Sequence, residues 1–130
     1  MINEKDVIKI RIPYPNITDN MAKHAHMYAV ETPRLSLFSI QTAKPFLVEK
    51  SIIENYITLE CGNDSPVKHK SYLTMDIRFI LENVSVSDDL KATNGLSDDV
   101  FTVLKEKARL VKSDMLLNKQ EVLQINNKII

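Results

Sequence analysis

Histidines 24 and 26, in the run HAHMYAVE, fall on one face of any strand built from that alternation, together with Tyr28 and Val30. Imidazole gains and loses its proton near neutrality, so such a pair can take a proton at one atom and return one at another. Thr42 and Lys44 close the next apolar run, LSLFSIQTAK, and a hydroxyl beside a fixed ammonium can hold phosphate oxygens. If the two strands are neighbours, these four side chains suit acid–base work on a phosphodiester. A blander alternative stays open: both histidines are ordinary strand residues with satisfied ring nitrogens.

Three other groupings contain reactive side chains. His24, His26, His69 and Cys61 are metal-ligand types, but zinc sites use tighter spacings and this chain has one cysteine. No metal is expected. Lys68-His69-Lys70 is a short basic run, either a solvated loop or a rim for phosphates whose hold weakens as salt rises. Asp88-Asp89 and Asp98-Asp99 flank an expected helix start, where capping and solvation account for them better than a metal does. Phosphate-loop, dinucleotide, GxSxG and CxxC patterns are absent, so no cofactor is expected. Cys61 has no activating neighbour in sequence.

The elements that must position these residues come from an ordinary composition. With 130 residues, 44% apolar and 26% charged, one domain with one core is the default. Formal net charge is zero, so any site for a polyanion must be a local patch. No run approaches the roughly 20 apolar residues that cross a bilayer, and none at the N-terminus resembles a signal peptide. A cytoplasmic protein without a membrane partner is expected.

Along the chain, Asp6–Ile12 alternates Ile8, Ile10 and Ile12 against Lys9 and Arg11, the period of a strand with one wet face. Pro13 and Pro15 end it, and residues 15–23 read as a polar, mobile loop. Strands are expected at 24–31, 35–42 and 52–60, followed by a turn cluster at 61–66. Ser71–Ala108 then reads as strand, strand, turn, helix. Asn94-Gly95 suits the positive φ of a tight turn, and Ser97 caps a helix whose first turn holds Asp98 and Asp99. From Phe101 through Leu104, Ala108, Val111, Met115, Asn118, Val122 and Ile125 to Ile129, steps of three and four form a heptad-like seam. That seam predicts either a second helix packed on its own domain, capped at Ser113-Asp114, or a helix paired with another subunit.

The segment SYLTMDIRFI…NGLSDDVFTVLKEKAR is similar to the closing segment of the MazF/PemK-like toxins, with its strand pair, charged turn, glycine, Leu-Ser and helix. The opening strand, the proline-bearing loop and the basic residues before the next strand stand in the family's order too. The resemblance covers residues 5–110. It implies a mainly β fold with a C-terminal helix, an SH3-like antiparallel β-barrel closed by one or two α-helices. Residues 1–110 would form the barrel and its first helix, and 111–130 a helical extension for packing or dimerisation.

The activity implied is a metal-independent endoribonuclease toxin that cleaves single-stranded RNA through 2′-hydroxyl attack, works as a homodimer and is neutralised by an antitoxin protein. Thr42 matches the family's hydroxyl at the end of its strand. The family's arginine-proline pair has no counterpart, since Lys23-His24-Ala25 stands there. Lys23 or His24 then replaces the arginine, with His26 beside them and Lys44, Lys68, His69 and Lys70 as RNA contacts. Otherwise the chain is a catalytically inactive module of this type, acting through protein or nucleic-acid contacts.

Overall fold

The computed structural model describes residues 1–130. Seven strands form one sheet: β1 (Val7–Ile10), β2 (His26–Thr32), β3 (Ser36–Thr42), β4 (Tyr56–Leu59), β5 (Ser71–Thr74), β6 (Ile77–Ile80) and β7 (Ser113–Leu116). Four α-helices accompany them, α1 (Asn20–Lys23), α2 (Pro45–Glu49), α3 (Asp98–Ala108) and α4 (Lys119–Ile125), with a short 3₁₀ turn at Asp88–Leu90. The order β1-β2-β3-β5-β4 is antiparallel throughout, and β3 is the branch point. Its final residues pair with β5 and its first two with β6, which in turn holds β7 in parallel. This main path is open, with β1 and β4 at its two ends and no pairing between them.

Period-two alternation explains why the sheet has two dry faces. Ile8 and Ile10 share a face with Tyr28, Val30 and Leu37, covered by Phe79, Leu117, Val122 and Ile129. Val7, Ala29, Phe38, Ile40 and Leu73 share the other face, covered by Phe101, Leu104 and Ala108 of α3. Each fully buried Leu, Ile or Phe contributes about 1.5–3 kcal/mol relative to exposure. Ile8, Ile10 and Ile12 are buried and Lys9 and Arg11 exposed, as the alternation predicts.

Several expectations need correction. The two strands expected from Ser71 onward form as β5 and β6, but both run along β3 and they do not pair with each other. Between them Asp76 accepts backbone N–H bonds from Glu54 and Asn55, which fixes the turn into β4. The proposed strand at 52–60 shrinks to β4, and α2 precedes it. The loop at 15–23 contains α1. Ser97 does cap α3, its hydroxyl accepting from Val100 N–H.

The heptad-like seam is not one helix. α3 stops at Ala108, Ser113-Asp114 opens β7 rather than capping a helix, and Asn118 caps α4 by accepting from Glu121 N–H. Phe101, Leu104, Ala108 and Val111 pack on one face of the sheet, while Met115, Val122 and Ile129 pack on the other. Residues 111–130 are therefore woven into their own sheet. Asn126 completes the weave: its amide oxygen accepts from Arg11 N–H at 2.9 Å and its Nδ2 donates to Arg11 O at 2.8 Å, as a neighbouring strand would.

Gly95 is used for closeness and not for a positive φ. No glycine has φ above zero; Lys5, Leu35, Ser51 and Asn83 occupy that region instead. A Cβ on Gly95 would lie 2.5 Å from the Lys5 carbonyl oxygen, which accepts the Leu96 N–H at 2.7 Å. Gly95→Ala should therefore lower stability by about 1–3 kcal/mol, the usual cost of overpacking. Urea unfolding checks this, and an unchanged midpoint would show that the 92–96 segment gives way freely.

Next to this contact Lys5 donates to Asp98 at 2.7 Å, which raises the Lys5 pKa and lowers that of Asp98. The stabilisation from Asp98 is present above its unfolded value, about 3.9, and is lost as pH falls through the lowered folded value. The contribution from Lys5 is present below about 10.4 and is lost as pH rises through the raised value. Lys5→Met should cost a small fraction of stability at pH 7, and the difference should shrink as pH falls below about 3.9 and vanish once it has passed the lowered folded value of Asp98. Thermal melts of both forms across that range test the sign.

Candidate functional site

Strand register gathers the basic residues. In β1 and β2, Ile10 faces His26; in β2 and β3, Met27 faces Ile40; in β3 and β5, Thr42 faces Ser71; in β5 and β4, Ser71 faces Leu59. The end of β1, the start of β2, the end of β3 and the start of β5 therefore lie at one end of the sheet. Lys23, His24, His26, Thr42, Lys44, Lys68, His69 and Lys70 all sit there. One backbone bond ties the two loops together, Ala43 N–H donating to Lys70 O at 2.9 Å, and within the second loop Ser71 Oγ donates to His69 O at 2.7 Å.

The individual side chains are differently placed. His24 is exposed and follows α1, its N–H bound to Asn20 O. His26 is half-buried, with Nδ1 2.8 Å from the His24 carbonyl oxygen. A carbonyl only accepts, so Nδ1 donates here and Nε2 is left unengaged. Thr42 is exposed and shares the face of Phe38 and Ile40, whereas His26 shares the face of Tyr28 and Val30. The pleat thus separates Thr42 from His26, and the two can serve one ligand only across the rim of the sheet. Tyr28 adds no base: burial pushes its phenol pKa well above the ordinary value.

Cations without a carboxylate partner collect at this end, although Arg34, Lys50, Lys105, Lys107, Arg109, Lys112 and Lys119 also lack one elsewhere. Lys9 and Arg11, the wet face of the first strand, join the group through the β1–β2 register. None of Lys9, Arg11, Lys23, Lys44, Lys68 or Lys70 has a carboxylate within ion-pair distance. Every ion pair lies elsewhere: the N-terminal amine with Asp88, Lys5 with Asp98, Arg78 with Glu31 and Asp114, Lys91 with Asp6, and Lys128 with Asp89. Asp88, Asp89 and Asp98 are accounted for by these pairs. No group of three or more His, Cys, Asp or Glu side chains is arranged to hold a metal ion, the set His24, His26, His69 and Cys61 included.

No family model, curated protein or solved structure matches the chain. The resemblance to MazF/PemK-like toxins rests on the residues quoted for it.

A groove of about 490 Å³ lies away from the basic end, lined by Ser51, Ile52, Asn55, Met75, Asp76 and Leu110 among others. Asp76 spends both oxygens on backbone N–H groups there, so its charge serves the turn. No helix is long and apolar enough to cross a membrane.

Proposed function

We propose that this chain acts on single-stranded RNA at the basic end of its sheet, as a metal-independent endoribonuclease of MazF/PemK-like type. One observation carries the proposal: all three histidines and six unpaired Lys/Arg side chains gather at one sheet end in a chain of zero net charge. Unpaired cations hold phosphates, and imidazoles supply proton transfer. In the reaction a base removes the 2′-hydroxyl proton and the 2′-oxygen attacks the adjacent phosphorus. The bond to the 5′-oxygen then breaks, and an acid protonates that oxygen, leaving a 2′,3′-cyclic phosphate. His24 and His26 Nε2 fill the acid and base roles, Lys23 and Lys44 balance the phosphorane-like charge, and Thr42 Oγ1 contacts the phosphate. The finer fold reading, an SH3-like barrel, belongs to this proposal, as do a homodimer and an antitoxin protein that covers the basic end.

A second reading has its own support. The pleat sets Thr42 and His26 on opposite faces, and Lys23 and Ala25, not an arginine-proline pair, flank His24 in sequence. A module that holds RNA without cutting it fits those two facts. Purified protein incubated with mixed single-stranded RNA in EDTA separates the readings. Discrete cuts ending in 2′,3′-cyclic phosphates support cleavage, and RNA that is retained but intact supports the binding module. RNA neither cut nor retained at low salt would remove both.

A further inference from the structure

Phe46 is out of place by the rules that bury aromatic side chains. Of the eight Phe and Tyr residues, it alone is exposed, at 46%. Phe38, Phe79 and Phe101 are buried in the cores, as is Tyr28; Tyr14, Tyr56 and Tyr72 are partly covered. Phe46 belongs to neither core cluster nor to the residues packed against them. It stands in the first turn of α2, directly after Lys44-Pro45, with Leu47 beside it turned inward and buried. The proline at the helix start and the Leu47 anchor fix the backbone that presents the ring.

Its neighbourhood is the basic end already described. Lys44 precedes it by two residues, and the Ala43–Lys70 backbone bond brings in the Lys68-His69-Lys70 loop. None of these lysines is paired with a carboxylate. An exposed aromatic ring among unpaired cations is the arrangement that binds single-stranded nucleic acid: cations track the phosphates, and the ring stacks on a base. A duplex offers phosphates but keeps its bases stacked inside, and polyphosphate offers no base at all.

We propose that Phe46 is a base-stacking residue that makes the basic end select single-stranded nucleic acid over other polyanions. The proposal rests on the reading of that end as a phosphate-binding surface. Stacking is worth about 1–3 kcal/mol per base, so loss of the ring should weaken binding about 5- to 150-fold.

The test uses a single-stranded DNA oligonucleotide, which lacks the 2′-hydroxyl and is not cut, with a duplex of the same sequence and inorganic polyphosphate as comparisons. Binding is followed by fluorescence anisotropy at low salt, with polyphosphate read by competition. Phe46→Ala should lose at least fivefold for the single strand and less than twofold for polyphosphate, Phe46→Trp should restore binding, and the melting temperature of both variants should match the parent. If all three polyanions bind alike and Phe46→Ala changes none of them, the stacking role is overturned while the basic end keeps its phosphate role. If none binds even at low salt, both fall together. A Phe46→Ala protein that melts early and loses every ligand equally shows a structural residue, and that too overturns stacking.

Discussion

Arg78→Met should lower the unfolding free energy by about 3–5 kcal/mol, a large share of the 5–15 kcal/mol that holds a domain of this size. Arg78 stands in β6 and reaches three other elements. Its Nε donates to Glu31 Oε1 at 2.7 Å and its Nη2 to Glu31 Oε2 at 3.2 Å, a bidentate bond into β2. Nη1 reaches Asp114 of β7 at 3.0 Å, and Nη2 also reaches the Ala108 carbonyl at the end of α3. The guanidinium lies over the Phe38 ring. The Glu31 bond is the largest cause holding the Arg78 pKa above its ordinary value.

The cost comes less from the lost attraction than from what remains. Glu31 is buried, and an unpaired buried carboxylate is far more expensive than a missing contact. Changing both partners should therefore cost less than changing one: Glu31→Gln with Arg78→Met should recover at least half of the loss. Arg78→Lys should recover little, because a point ammonium cannot span two carboxylates and a carbonyl. Urea unfolding of the four proteins decides the matter. A loss under 1 kcal/mol in Arg78→Met would mean that Glu31 finds water, and that this node is incidental.

His24→Ala should cut the RNA-cleaving rate about 10²- to 10⁴-fold, the range for loss of one positioned proton-transfer group. His24 is exposed, outside β2 and free of side-chain partners, so its melting temperature should stay within a degree or two of the parent. Thr42→Ala should fall in rate as well, with equal stability. The pH dependence separates the two roles. Cleavage that needs one histidine as base and one as acid gives a bell-shaped profile, and losing His24 should remove one limb of it while Thr42→Ala keeps both. A parent protein that retains RNA without cutting it moves the function to the binding reading, where His24→Ala changes affinity by a few-fold only.

Much of the fold was legible from local pattern. The alternation of Ile8, Ile10 and Ile12, the Ser97 cap and the strand at 35–42 follow from period and capping chemistry, which are local. The errors came where distant segments decide. A seam of threes and fours from Phe101 to Ile129 fits a helix equally well as helix, strand, helix, because Met115 and Val122 are apolar for the sheet face opposite the one served by Phe101. Tertiary demand overrode period. Gly95 announced a turn by type, yet its role depends on Lys5, ninety residues earlier, which no local rule includes.

The candidate site divides in the same way. Histidines, lysines and the threonine could be picked out by type, but their gathering at one sheet end needs the registers of four strand pairs. Lys9 and Arg11 read as an ordinary wet face until β1 is laid against β2. Phe46 gave no signal beyond being aromatic, because exposure is set by how α2 seats Leu47.

The weave of the last twenty residues bears on how the molecule is made. Asn126 completes the hydrogen bonding of Arg11 across a separation of 115 residues, and Ile129 bridges to Val86. Contacts of that span form late and slowly. On the ribosome, the strands from β1 to β5 can pair while synthesis continues, yet the first apolar face stays open until Val122 and Ile129 emerge. During that interval Ile8, Ile10 and Tyr28 are uncovered, which is the period of greatest risk of association with other nascent chains. The basic end is likewise unfinished at Arg11 until Asn126 has emerged and supplied its two bonds.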